Sequence, residues 1–229
     1  MDLEKFYNEY WEKKEDDIDH NRLNLIVKCI ESGKKVLEIN CGLGILAEKI
    51  AKKGADITVT DLSDVALQKA RSRGISKGFK IDIDKQQLPI NLPRFDIVVS
   101  NSMIEHSFFP ENTIREGVKV LNDGGHFIIL VPNIGHWRFR LSLILGNFPY
   151  LQNTPTDILH LRFFTMYSLK KMGEKFGLKV KKVSGNSGLW VNDIYPSFFR
   201  ITPIKQIYEE LTSIYPSLFA RDVLIIFQK

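Results

Sequence analysis

Cysteine is nearly missing from this 229-residue chain, with Cys29 and Cys41 the only two. Cys29 lies in an apolar helical pattern and Cys41 among glycines, so a disulfide framework is not expected. No apolar run approaches the roughly 18 residues that suggest a membrane span. The start, Met1-Asp2-Leu3-Glu4-Lys5, lacks a basic segment followed by an apolar one. A secretory leader is therefore not expected, and a cytoplasmic protein is. No internal repeat or low-complexity tract is visible. With 44% hydrophobic and 26% charged residues, the composition is that of an ordinary globular protein.

The net charge of +5 is unevenly placed. Between His136 and Lys205 eleven Lys and Arg face three acids (Asp157, Glu174, Asp193), a local balance of +8. A solvated basic surface accounts for this, and so does attraction of an anionic small molecule. A modest excess spread over this length does not point to nucleic acid.

The most informative stretch is Val36-Leu37-Glu38-Ile39-Asn40-Cys41-Gly42-Leu43-Gly44, followed 17 residues after Gly44 by Asp61. An apolar run carrying one acid opens into a glycine turn. A helical pattern follows, then a second apolar run, Asp56-Ile57-Thr58-Val59-Thr60, ending on the acid. Such a unit builds a pocket for a ligand with an adenosine-like ribose. Glycines let backbone approach where a Cβ would clash. The helix start near Gly44 offers N–H groups. A carboxylate ending the next strand can accept both ribose hydroxyls.

Gly42-x-Gly44-x-x-Ala47 nearly satisfies a dinucleotide fingerprint, so a nicotinamide dehydrogenase must be weighed. Two details argue against it. Asn40 and Cys41 both stand between the last strand residue and the first glycine. Glu38 places a carboxylate near the strand's carboxyl end, where it would repel a pyrophosphate and suit a cationic ligand or an ammonium group. A sulfonium-bearing amino-acid nucleoside has both features.

The segment resembles motif I of the class I S-adenosylmethionine-dependent methyltransferases, whose commonest form reads VLDLGCGTG. Glu38 stands for the family's acid, Cys41-Gly42-x-Gly44 matches directly, and Asn40 replaces the first glycine. Asparagine tolerates left-handed backbone better than most residues. Further landmarks follow in order. Asp84-Lys85-Gln86-Gln87-Leu88-Pro89 resembles the acid-x-x-x-Leu-Pro segment, and Phe95-Asp96-Ile97-Val98-Val99-Ser100 the fourth-strand signature. Glu105-His106 resembles a pair common in small-molecule members. Asn122-Asp123-Gly124-Gly125 leads into Phe127-Ile128-Ile129-Leu130-Val131-Pro132, like the family's loop and fifth strand. These motifs cover about 22–133.

The resemblance implies S-adenosylmethionine as cofactor, S-adenosylhomocysteine as product and a small-molecule acceptor methylated on oxygen or nitrogen; the basic stretch allows an anionic acceptor, and a membrane-surface reading of Trp137 to Tyr150 a lipid-linked one. Its cofactor site would comprise Glu38, Asn40, Cys41, Gly42, Gly44, Asp61, Leu62, Asp84, Lys85, Ser100 and Asn101. Asp61 would hold the ribose, Glu38 the methionine ammonium through backbone or water, and Asp84 or its neighbour the adenine. Backbone carbonyls at Ser100 and Asn101 would accept from the ammonium. An Asn-Pro-Pro-Tyr-like motif, which would mark methylation of base amino groups, is missing after the fourth strand. RNA or protein methylation, or cofactor binding without catalysis, stay open as alternatives.

Apolar runs at 35–39, 56–60, 79–83, 95–100 and 126–131 alternate with helical patterns at 45–53, 63–73 and 111–121. Near-continuous apolar runs indicate strands buried on both faces, and the alternation indicates parallel crossovers. The expected fold is a Rossmann-like, seven-stranded, mainly parallel sheet with helices on both faces and an antiparallel last strand. Strands at 178–184 and 221–228 and a helix at 167–176 close it. The whole chain, 1–229, is read as one methyltransferase domain: N-terminal helices at 1–34, a cofactor-binding core at 35–133, and insertions at 134–166 and 185–218 that cover the acceptor site.

Two N-terminal helices are expected, Leu3 to Glu15 with Phe6, Tyr7, Tyr10 and Trp11 near one stripe, and Asn21 to Ser32 capped by Asn21. The first would pack on the core or close over the cofactor. Trp137 to Tyr150 reads as a lid helix, or as a helix resting weakly on a membrane surface.

Methyl transfer from a sulfonium needs positioning and exclusion of water, and a base where the acceptor keeps its proton. His106, titrating near neutrality, is the candidate general base. Glu105 can pair with it or ligate a metal, although no metal is expected. His160, in His160-Leu161-Arg162-Phe163-Phe164-Thr165, resembles an acceptor-pocket segment of small-molecule members. Arg162 would bind an acidic acceptor or anchor its loop.

Overall fold

The computed structural model describes residues 2–15 and 19–229. Helix α1 (Leu3–Lys13) and α2 (His20–Lys28) precede the sheet. There follow β1 (Lys35–Ile39), α3 (Ile45–Lys52), β2 (Asp56–Asp61), α4 (Asp64–Ser72), β3 (Gly78–Lys80), β4 (Phe95–Asn101), α5 (Pro110–Val120) and β5 (Leu121–Pro132). Then come α6 (Trp137–Ile144), α7 (Met166–Lys175), β6 (Lys179–Asn186), α8 (Ile204–Ile214), α9 (Pro216–Phe219) and β7 (Asp222–Gln228). The sheet is mixed and mostly parallel, in the order β3-β2-β1-β4-β5-β7-β6, as the alternating pattern requires.

The chain groups into two compact units, one of residues 1–101, 109–128 and 228–229, the other of 102–108 and 129–227. In the first, β1 pairs in parallel with β2 and β4, and Ile39 lies opposite both Thr60 and Ser100. Val36, Leu37, Ile39, Val98 and Val99 are fully buried, which is why these runs are continuous rather than alternating. The register brings the carboxyl ends of β1, β2 and β4 level with one another.

The second unit has its own small core of Phe139, Leu189, Val191, Ile194, Tyr195 and Tyr208. A buried polar hub runs through it. The His136 Nδ1 accepts from the Arg138 N–H, so Nε2 carries the hydrogen and meets the Tyr195 and Tyr208 hydroxyls at 2.8 and 3.0 Å. The Tyr195 hydroxyl donates to the Ser187 carbonyl, and Trp137 Nε1 donates to Tyr208. Burial holds the His136 pKa down at about 3, with Arg138 and Arg221 adding to the effect, so the ring stays neutral.

The structure corrects several expected boundaries. Asp19, not Asn21, caps α2, because its carboxylate accepts from the Asn21 and Arg22 N–H groups. The first helix stops at Lys13. β3 ends at Lys80, so residues 81–83 are outside it. β5 begins at Leu121 rather than 126. The Asn122–Gly125 stretch continues the strand as a bulge: Gly124 N–H donates to the Lys229 carbonyl and Lys229 N–H to the Gly125 carbonyl, with Gly124 at φ +76°. α6 is shorter than the segment Trp137 to Tyr150, ending at Ile144. α8 lies within the stretch 185–218 read as an insertion, and α9 runs one residue past its end. Among the described residues no helix is long and apolar enough to cross a membrane.

Candidate cofactor site

The turn after β1 is built from left-handed backbone. Asn40, Gly42 and Gly44 have φ of +59°, +51° and +71°. Asn40 therefore performs the conformational task for which glycine is the usual residue. Gly44 also approaches α4 closely, since a Cβ there would lie 2.7 Å from Ala70 Cα. A Cβ on Gly42 would lie 2.7 Å from the six-membered ring of Trp11. Hence α1 packs on the glycine turn.

Asp61 locks this turn. Its Oδ2 accepts from the Gly42 N–H and its Oδ1 from the Ser63 N–H, both at 2.9 Å. The Cys41 N–H donates to the Thr60 carbonyl at 2.9 Å, joining the turn to the end of β2. Burial raises the Asp61 pKa to about 6, against the lowering pull of backbone N–H groups of Ser63, Gly42 and Leu62. Leu62 is half-buried beside it. Ser63 caps α4 through the Ala66 N–H and donates its hydroxyl proton to Asn8 Oδ1 at 2.6 Å, a second tie to α1. Lys69 Nζ adds a third, donating to the Trp11 carbonyl. Asn8 carries no sequence signal, being one polar residue on an amphipathic helix.

Four buried side-chain oxygens at the carboxyl ends of β1 and β4 have no hydrogen-bond partner among the described residues: Glu38 Oε2, Asn40 Oδ1, Ser100 Oγ and Asn101 Oδ1. Buried oxygens without donors cost free energy, of order 1–3 kcal/mol for a neutral group and more for a charged one. Burial pushes the Glu38 carboxyl well above the usual carboxylate range; Asp61 adds to this and the Ala47 backbone N–H opposes it. A ligand that brings an ammonium, a pure donor with positive charge, would satisfy these oxygens and favour ionised Glu38. A pyrophosphate would do neither. The donor and acceptor chemistry therefore fits the amino-acid end of S-adenosylmethionine. Burial, with Asp61 and Glu38, drives the Cys41 pKa upward and keeps it a neutral thiol.

Asp84 and Lys85 make protein contacts. The Asp84 carboxylate accepts from the Phe109 N–H at 3.2 Å and its carbonyl from the Asn112 amide, steadying the start of α5. Lys85 Nζ pairs with Asp82 at 2.9 Å. Their assignment to the adenine rests on the motif.

The two expected catalytic histidines belong to the second unit and come together there. Their ring centroids are 4.9 Å apart and their planes are inclined at 68°. His106 ends a short 3-10 turn, Ile104–His106. The Glu105 carbonyl accepts from the Leu161 and Arg162 N–H groups at 2.8 and 2.9 Å, which fixes the His160 loop beside it. Arg162 Nη2 donates to the Phe108 carbonyl at 2.7 Å, so this guanidinium anchors its loop.

A family model described as Methyltransferase domain matches residues 10–183. The chain is 32% identical over 173 residues to a ubiquinone biosynthesis O-methyltransferase of Aliivibrio fischeri, covering 72% of this chain and 73% of that protein. A S-adenosylmethionine-dependent methyltransferase of Archaeoglobus fulgidus superposes with a TM-score of 0.63 at 20% identity, covering 91% of this chain and 92% of the other. A methyltransferase of Thermotoga maritima, described as a possible histamine N-methyltransferase, gives 0.62 at 19% identity over 99% and 97%. At such identities the structural likenesses speak for the fold. Family model, relatives and the orphaned oxygens agree, and the chain belongs to the methyltransferase-domain family as a S-adenosylmethionine-dependent enzyme.

Proposed function

We propose that this enzyme methylates an oxygen of a small acidic molecule. The observation that carries the reading is the way His106 is held. Its Nδ1 lies 3.0 Å from the Leu159 carbonyl, an acceptor only, so Nδ1 carries the hydrogen and Nε2 the lone pair. His160 is held alike by the Pro155 carbonyl at 3.0 Å. An alcohol or phenol needs such a base, whereas a free amine does not. The relatives named as ubiquinone biosynthesis O-methyltransferases, at about 30% identity, support an oxygen acceptor. The +8 balance between His136 and Lys205 supports an acidic one.

When bound, S-adenosylmethionine supplies a methyl group already activated on a sulfonium. Asp61 holds the ribose hydroxyls. Glu38, Ser100 and Asn101 hold the ammonium, and Asp84 with Lys85 faces the adenine. His106 Nε2 receives the proton that the acceptor hydroxyl releases as its oxygen takes the methyl. His160 lines the acceptor pocket.

His106→Gln should lower kcat by about 100-fold or more for an alcohol acceptor while leaving S-adenosylmethionine affinity within twofold. Release of S-adenosylhomocysteine from a panel of hydroxylated acids measures the first and calorimetry the second. An unchanged kcat on an accepted substrate would remove His106 from the proton path.

A further inference from the structure

The two backbone donors that hold the Asp61 carboxylate are each backed by a residue of α1. Gly42, whose N–H reaches Oδ2, lies against the indole of Trp11 with no room for a Cβ between them. Ser63, whose N–H reaches Oδ1, gives its hydroxyl proton to Asn8 Oδ1 at 2.6 Å. The same oxygen stands 3.4 Å from the Val65 N–H, in the first turn of α4. Asn8 and Trp11 are three positions apart, which places them on one face of the helix. That face touches both arms of the clamp around Asp61.

Further ties keep α1 in place. Lys80 Nζ bridges Glu4 and Asp64 at 2.5 and 2.6 Å, and Lys69 Nζ donates to the Trp11 and Lys14 carbonyls. No residue of α1 is buried. The helix therefore adds little apolar burial to the core, and its contacts fall on the cofactor turn, on α4 and on the end of β3.

We infer that Asn8 and Trp11 are positioning residues for Asp61, and that the docking of α1 sets the affinity of the site for the nucleoside. The inference rests on the reading that Asp61 takes the ribose. A carboxylate that accepts two backbone bonds and must still offer lone pairs to two ribose hydroxyls has little freedom in its orientation. The Ser63 side chain is fixed from two sides, by the Ala66 N–H and by Asn8, and this fixes the N–H that Ser63 presents to Asp61. Removing the indole opens a space into which the glycine turn can move, drawing the Gly42 N–H away from Oδ2. Neither residue acts on the reacting atoms; each acts through the carboxylate.

A double-mutant cycle tests this, with S-adenosylmethionine titrated calorimetrically into the full chain. Asn8→Ala should weaken binding about fivefold and Trp11→Ala about tenfold when Asp61 is present. In an Asp61→Ala background the same changes should cost about twofold or less, because the group they orient is gone. A helix that only braced the fold would lower the melting temperature and weaken binding by one factor in both backgrounds. Asn8 is half-buried on a helix and alanine is a good helix former, so Asn8→Ala should fold. Undiminished affinity in Asn8→Ala, or equal losses with and without Asp61, would overturn the inference and leave the ribose assignment standing. An Asp61→Ala variant that binds as tightly as the wild type would remove the ribose assignment itself, and the inference with it.

Discussion

Replacing Arg221 by alanine is expected to lower the stability of the protein by about 3–5 kcal/mol, the largest loss foreseen for any single change. Arg221 and Asp222 are each 2% exposed and adjacent, yet their side chains pair through Arg221 Nε at 3.0 Å and a closer Nη2 contact. Asn186 donates a further bond to Asp222 Oδ2 at 3.0 Å. The guanidinium lies 5.3 Å from the Trp190 ring and donates to the Asn153 carbonyl. Alanine would leave the Asp222 carboxylate buried without its counter-charge and free a carbonyl at Asn153. For a chain of this size the melting temperature should fall by roughly 6–20 °C. Thermal unfolding followed by circular dichroism measures this. Arg221→Met with Asp222→Leu should cost much less, because no charge is then left unpaired. A single variant that melts like the wild type would show the pair to be dispensable.

Asp61→Ala should weaken S-adenosylmethionine binding at least tenfold, about 1.4 kcal/mol. The carboxylate acts twice, holding the Gly42 and Ser63 N–H groups and offering its remaining lone pairs to the ribose. The pH dependence gives a second test with its own sign. The folded-state pKa of about 6 lies above the ordinary 3.8, so between those values the folded protein binds more protons than the unfolded chain. Stability therefore falls as pH rises through that window, by about 3 kcal/mol for this group. Cofactor binding should run the other way. Below about pH 6 the protonated Asp61 loses acceptor capacity and the affinity should decline. In Asp61→Ala both slopes should flatten. Calorimetry and melting between pH 4.5 and 8 measure them, and wild-type affinity that does not vary with pH would separate Asp61 from the ribose.

The glycine turn and the Asp61 that braces it were legible because their signals are local. Glu38, Asn40, Gly42 and Gly44 lie within seven residues, and Asp61 follows at the spacing of one helix and one strand. Asn40 at φ +59° shows why a departure from glycine is tolerated there. The continuous apolar runs of β1, β2 and β4 were legible for the same reason, being buried on both faces. What was not legible depends on contacts between distant residues. The hub of His136, Tyr195 and Tyr208 joins three segments, with His136 far from the other two in the chain. α8 escaped notice because Ile204, Ile207 and Ile214 point outward while Tyr208 and Thr212 are buried, so its apolar stripe does not mark its core face. The Asp19 cap lost to Asn21 in sequence because both residue types cap helices well. The meeting of His160 with Glu105 and His106 is set by backbone bonds to the Glu105 carbonyl, which no side-chain pattern announces.

The most direct test of the account is a crystal structure of this chain with S-adenosylhomocysteine. Both ribose hydroxyls should lie on the Asp61 carboxylate, and the amino group among the oxygens of Glu38, Ser100 and Asn101. A nucleoside bound elsewhere, or an Asp61 that stays on Gly42 and Ser63 with no contact to the ribose, would contradict it.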